Sequence, residues 1–231
     1  MEFWHKEFIY AQDRVSDIEG NEFYEKEYRY HEPWYSAPII KMLYEDTVDA
    51  PQVKNILDIG CGWGAMALYA QRMYGADVYC LDMEPRVIPF PGVQFKQANI
   101  EYDDIPFRWP FFYEKIIMTE IIEHLTCSPI PTLNKIKRIL TENGNLYIST
   151  PNACDPLWGR IDKYYKHIGE MPNPDASNRK YFADEHIYQY TEPELLYIFD
   201  KAGFEVEKKE LFKPPFWGEH ISFKLKKKKL D

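Results

Sequence analysis

NILDIGCGWGAMALYAQRMYGADVYCLDMEP, residues 55–85, is the stretch whose reading decides the fold. An aliphatic run ends on Asp58, and glycines follow at 60, 62 and 64. A helix-like segment then leads to a second aliphatic run that ends on Asp82. A strand, a glycine turn and a helix in that order put bare backbone N–H groups at the carboxyl edge of a parallel sheet, where open α/β folds bind ligands. The loop can also be written GxGxxA, and Asp82 lies where a dinucleotide-binding fold carries its ribose acid. Asp58 opposes that reading, because it stands beside the space a pyrophosphate would fill and suits a cation instead.

The pattern continues outward on both sides. Beyond residue 85, "VQFKQANI", "EKIIMTE" and "GNLYIST" are short apolar runs, with a helix predicted over about 132–141. Such runs alternating with helices produce a parallel sheet covered on both faces. "TEPELLYIFDKAGF" predicts a capped helix from Thr191, with Pro193 in its first turn, Glu194 completing a capping box and Gly203 as the stop. "FEVEKKELF" and "EHISFKLK" alternate as antiparallel partners would. Residues 1–50, rich in Tyr, Trp and Glu, read as a helical, aromatic appendage to a domain over 51–231, with an amphipathic helix in "APIIKMLYEDTV". Residues 152–185 are aliphatic-poor and carry Pro156, Pro172 and Pro174, so a lid-like insertion is expected there.

Composition bounds the function. A chain of 231 residues with 45% hydrophobic residues can bury one full core. The net charge of -9 opposes a polyanionic partner, so nucleic acid is disfavoured, and the lysine run at 224–230 reads as a solubilising tail. Cysteines at 61, 80, 127 and 154 lack metal-ligand spacing and read as reduced thiols of a cytoplasmic protein. The amino terminus lacks a signal-peptide pattern, and no apolar run approaches the ~20 residues of a membrane span.

A ligand with an amine, a sulfonium, a ribose and an adenine but no phosphate meets the demands of both aspartates. Here "ILDIGCGWGA", "CLDME", "ANIE", "IIMTEIIEHL", "GNLYISTPN" and "HIYQYTEPELLYIFDKAGF" resemble the successive motifs of class I S-adenosylmethionine-dependent methyltransferases, over about residues 50–211. The branch they are most similar to reads "EVIEHL" after its fourth strand and "GGxLxISTPN" at its fifth. The resemblance implies a Rossmann-like, seven-stranded, mostly parallel sheet with an antiparallel last strand, helices on both faces, and S-adenosylmethionine as cofactor. It implies that Asp58 and the backbone of Gly60, Cys61, Gly62 and Gly64 hold the methionyl end, that Asp82 accepts the ribose hydroxyls, and that Met83 packs on the adenine. Asn99 and Ile100 would contact the adenine, Asn99 standing where the family often has Asp, and Thr119 and Glu120 would line the methionyl side.

Methyl transfer is an in-line displacement in which positioning does much of the work, and a hydroxyl acceptor also needs its proton removed. His124 and His186 are the candidate bases, in segments that reach the cofactor edge in the family fold. His5, His31, His167 and His220 have no motif context and read as surface or lid residues. The expected reaction is O-methylation of a small-molecule hydroxyl, on a sugar, a lipid-linked or a quinone-like intermediate. No metal is expected. The alternative is a metal-dependent RNA 3′-end 2′-O-methyltransferase, since Glu120, Glu123, His124 and His186 resemble the metal-binding set of that group. Outside the enzyme class stands a cofactor-binding protein without transferase activity.

Overall fold

The computed structural model describes residues 3–49, 52–107, 112–156, 164–180, 182, 185–214 and 218–229. Its centre is a seven-stranded sheet of β1 (Asn55–Ile59), β2 (Asp77–Asp82), β3 (Val93–Gln97), β4 (Tyr113–Thr119), β5 (Leu140–Pro151), β6 (Phe204–Phe212) and β7 (His220–Lys227). The spatial order is β3-β2-β1-β4-β5-β7-β6. All pairings from β3 to β5 are parallel, and β7 runs antiparallel to both β5 and β6. This is the sheet the motifs imply.

Side-chain alternation sorts the core into two layers. Leu57 and Ile59 of β1, with Ile116 and Met118 of β4, pack with Leu133 and Ile136 of α4 (Pro129–Ile139) and with Ile198 and Phe199 of α5 (Glu192–Ala202). Ile56 and Ile117 face the other side, against α1 (Phe3–Ser16), α2 (Glu32–Asp49) and α3 (Ala65–Tyr74). The amino-terminal segment therefore contributes two helices to one covering layer. Phe8, Ala11 and Val15 of α1 and Ile39, Ile40 and Leu43 of α2 are buried there.

The helix ends follow their local chemistry. Helix α5 has the expected capping box between Thr191 and Glu194, and Gly203 ends it in the left-handed conformation. Helix α4 starts at Pro129 rather than at 132, because a proline in the first turn has no N–H to leave unpaired and favours a helix start. Helix α2 likewise starts at Glu32, five residues before the expected amphipathic stretch, and carries Pro38 inside it. Among the described residues of 152–185 there is no helix longer than the short turns Ile168–Glu170 and Ala176–Asn178. Residues 157–163, 181, 183 and 184 of that expected lid lie outside the described residues.

Parallel strands end at one edge, so the loops after β1, β2 and β4 converge there. Because β7 runs the opposite way, its first residue arrives at the same edge: His220 pairs with Pro151, the last residue of β5, and with Phe212 of β6.

Candidate active site

The converging loops enclose a cavity of about 820 Å³. Asp58, Gly60, Cys61 and Gly62 line it from β1 and its turn, and Asp82 and Met83 from the end of β2. Asn99 and Ile100 line it after β3, Thr119 at the end of β4, and Glu120, Glu123 and His124 after it. His186 closes that end. Gly64 stands off this wall: it precedes α3, and a side chain on it would press on Ile88.

Two glycines answer different needs. Gly60 has φ +70°, and a Cβ there would lie 2.0 Å from Cδ1 of Ile121, so β1 and the loop after β4 meet only because no side chain intervenes. Gly62 has φ +51° with nothing within 4 Å of an added Cβ. That space belongs to the cavity, which lets a ligand approach the bare backbone.

Acids dominate this edge. Asp82 accepts the N–H of Gly62 at 2.9 Å and that of Glu84 at 2.8 Å, and burial raises its carboxyl above the ordinary value against both bonds. Each oxygen keeps a further lone pair. Asp58 is buried, its Oδ2 has no hydrogen-bond partner, and burial followed by the charges of Glu32 and Asp82 pushes its pKa up to about 8. An unpartnered buried carboxyl beside a bare-backbone turn fits a ligand that brings a cation and hydroxyls rather than phosphates. The side chain of Asn99 accepts the Glu101 N–H at 2.9 Å, so it also shapes its own turn.

The opposite end carries imidazoles. Nδ1 of His124 lies 3.0 Å from the carbonyl of Glu185, which can only accept; Nδ1 therefore carries the proton and Nε2 is the basic atom of the neutral ring. The rings of His124 and His186 meet edge to face at 4.9 Å. Glu123, buried, accepts from Thr150 Oγ1 at 2.9 Å and holds the backbone of Ile187 and Tyr188 through its carbonyl. One ligand atom from each of Glu123, His124 and His186 lies within 4.8 Å of the others.

Glu120 is not part of that group. Its backbone has φ +51°, a left-handed conformation that costs energy for a residue with a Cβ. Its carboxylate takes Ser149 Oγ at 2.6 Å and pairs with Nδ1 of His220 at 3.0 Å. Burial opposes ionisation of both partners, yet their mutual attraction prevails: the Glu120 carboxyl is held below its ordinary value and the His220 imidazole above its own.

His220, buried at the cavity wall, corrects the surface assignment made for it, and His31, half-buried, lines the same cavity. The ring of His220 stacks at 6.1 Å on Tyr35 of α2. Glu32 and Tyr28 are further wall residues outside every motif, and Trp63, inside the glycine motif, lines the cavity as well. The local signal for His220 is its place at the start of an alternating run expected to be antiparallel, and the register that sets it at the end of β5 is not written in that run. Lys180 and Phe182, from the expected lid, also line the cavity. That segment is tied to the body by Tyr165 Oη, which donates to the Thr126 carbonyl at 2.9 Å, and by the Arg179–Asp103 ion pair at 3.0 Å.

Comparison with known proteins gives the family and the fold. Residues 28–209 match a family described as "Methyltransferase domain". A sphingolipid C9-methyltransferase A of Emericella nidulans is 26% identical over 171 residues, which are 66% of this chain but only 30% of that protein. Among solved structures, an S-adenosylmethionine-dependent methyltransferase from Clostridium acetobutylicum aligns at TM-score 0.59 and 14% identity, covering 90% of this chain and 97% of that one. The Burkholderia thailandensis 1,6-didemethyltoxoflavin-N1-methyltransferase, solved with 1,6-didemethyltoxoflavin and S-adenosylhomocysteine, aligns at TM-score 0.60 and 16% identity, covering 96% and 88%.

Proposed function

We infer the acceptor chemistry from one premise: the chain belongs to the methyltransferase domain family and is an S-adenosylmethionine-dependent methyltransferase. When bound, S-adenosylmethionine supplies an electrophilic methyl group. In our reading Asp58 and the turn Gly60–Gly62 hold its methionyl end, with Gly64 keeping the turn close to α3. Asp82 takes the ribose hydroxyls. Met83, Asn99 and Ile100 border the adenine, and Thr119 and Glu120 border the sulfur side.

The acceptor is a small molecule whose hydroxyl is methylated, a sugar, lipid-linked or quinone-like compound. The observation that carries this reading is the imidazole pair His124–His186 at the end of β4, with Nε2 of His124 as a basic atom. A hydroxyl loses its proton as the O–C bond forms and the C–S bond breaks, and a positioned imidazole is the group to receive it. The relatives' names mention carbon and nitrogen acceptors, so the acceptor atom is read from this site alone. The pocket walls include Tyr35 and His31 of the amino-terminal segment and Lys180 and Phe182 of the segment after β5. The free cysteines support a reducing, cytoplasmic setting, and among the described residues no helix is long and apolar enough to cross a membrane.

A second reading has one observation in its favour. The clustering of Glu123, His124 and His186 gives three ligand atoms to a divalent ion, which would lower the pKa of the acceptor hydroxyl. Glu120, the fourth member of the set weighed from the sequence, pairs with His220 instead. Turnover with a panel of small hydroxyl acceptors, in EDTA and with added Mg²⁺ or Mn²⁺, separates the two. Under the imidazole reading EDTA has no effect, and His186→Ala lowers the rate ~10²–10⁴-fold with unchanged affinity for S-adenosylhomocysteine. Loss of turnover in EDTA, restored by the ion, transfers the role to the metal. Methylation of amines only, at full rate without either imidazole, contradicts both.

A further inference from the structure

Asp58 and Glu32 form an acidic wall of the cavity that lacks a cation. Asp58 alternates with Leu57 and Ile59, so it faces the side of the sheet covered by α1, α2 and α3. Glu32 is the first residue of α2 and lines the same cavity. Its Oε2 receives Tyr24 Oη at 2.7 Å and Gln12 Nε2 at 3.1 Å, which fixes the carboxyl from the turn before α2 and from α1. Among the described residues no Lys, Arg or His forms an ion pair with Asp58 or Glu32. Asp58 is 1% exposed, and its unpartnered Oδ2 is the independent sign that something is to be received there.

We propose that Glu32 and Asp58 together form a socket for a primary ammonium group, that of the amino-acid end of the cofactor, so that the amino-terminal segment helps to hold the methyl donor. The proposal rests on the reading of this cavity as the S-adenosylmethionine site and adds to it a residue outside every motif. A primary ammonium has three N–H donors and one positive charge, which suits two carboxyls presented from different elements. The acidic start of α2 also faces the positive end of that helix, which favours an ionised Glu32 once a cation is present.

Proton linkage makes the socket measurable. Burial raises Glu32 to about 7 against its bonds from Tyr24 and Gln12, and Asp58 stands at about 8. The groups that act on the pair are acids, Asp82, Cys61 and Cys80 around Asp58 and Tyr24 on Glu32; His31, beside Glu32 in the chain, Tyr35 and Arg86, whose charge acts on Asp82, line the same cavity. In the ligand-free protein burial favours the protonated form of both carboxyls near neutral pH, Asp58 more than Glu32. An entering ammonium favours both ionised forms, so binding releases about one proton at that pH, and affinity rises between pH 6 and pH 8.

The test is titration calorimetry of the full chain with S-adenosylhomocysteine and with its analogue lacking the amino group, at pH 7 in two buffers of different ionisation enthalpy. We expect the amine-bearing ligand to bind at least about tenfold tighter, as charge-assisted hydrogen bonds are worth, and to release about one proton that the analogue does not. Glu32→Gln, checked for folding by its melting temperature, should reduce the preference to about threefold or less, and Glu32→Asp should retain part of it. Equal affinity of the two ligands for the wild-type protein without proton release overturns the socket while leaving the cofactor site in place. Proton release that appears only on adding an amine acceptor overturns it too, by moving the cation to the acceptor. A preference that survives Glu32→Gln intact overturns the role of Glu32. Binding of neither ligand overturns the cofactor reading, and the socket with it.

Discussion

At the glycine edge of the cavity, Asp58, Gly60, Gly62, Asp82 and Met83 come from one continuous strand–turn–helix–strand unit. At the histidine end, Glu120 meets a partner 100 residues away, and His124 and His186 belong to different segments. The first region works through backbone: glycines at positive φ, N–H groups and strand-end carboxyls. The second works through side chains whose protonation and mutual contact matter. A scaffold that binds one constant ligand can keep it on a single supersecondary unit, while the acceptor end is assembled from loops that can differ independently.

The sharpest way to break this comparison is to remove one imidazole. His124→Ala should lower turnover ~10²–10⁴-fold with S-adenosylhomocysteine affinity unchanged. The double variant with His186→Ala should be little worse than either single one, because the two rings act as a unit. A loss of cofactor affinity equal to the loss of rate would show that the two ends are not separate. Gly60→Val tests the other end. Its added Cβ meets Ile121 and its φ of +70° is costly for a β-branched residue, so stability should fall by about 2–4 kcal/mol in thermal or urea unfolding. A variant as stable as the wild type would mean that the loop after β4 yields freely.

Smaller effects sharpen the account. Asp82→Ala should weaken S-adenosylhomocysteine binding by ~1–3 kcal/mol, because two hydroxyl contacts lose a charged acceptor. An unchanged Kd would remove Asp82 from the ribose. Asp58→Asn acts on the ligand-free protein. Asp58 has its folded pKa raised to about 8, so between the ordinary carboxylate range and that value the folded state holds a proton the unfolded state has lost. Stability contributed by that proton is present at low pH and is lost as pH rises through the window. The variant should therefore melt about 2–4 °C higher than wild type at pH 8.5, with a smaller difference at pH 5. An equal difference at both values would assign it to packing.

How much of this was legible in the sequence follows the same division. The order of strands and helices and the capping box at Thr191 are local patterns found where expected, and Asp58, Gly60, Cys61, Gly62, Asp82 and Met83 of the glycine unit line the cavity. Pro129 and Pro131 hid the start of α4, because proline both breaks a helix and opens one and only context separates the two. His220 was missed although an antiparallel last strand was expected: no motif marks the residue, and only the register of β7 on β5 brings that strand's first residue to the edge where the others end. Glu32 was hidden in an aromatic segment with no motif, and its meaning depends on Asp58 lying on the face that α2 covers.

The most direct test of the two-ended cavity is a crystal structure with S-adenosylhomocysteine bound. The account predicts the ribose hydroxyls on Asp82, the amino group between Asp58 and Glu32, and the sulfur directed toward Thr119 and Glu120, with His124, His186 and His220 beyond it. Adenine at the histidine end, or a ligand bound outside this cavity, would contradict it.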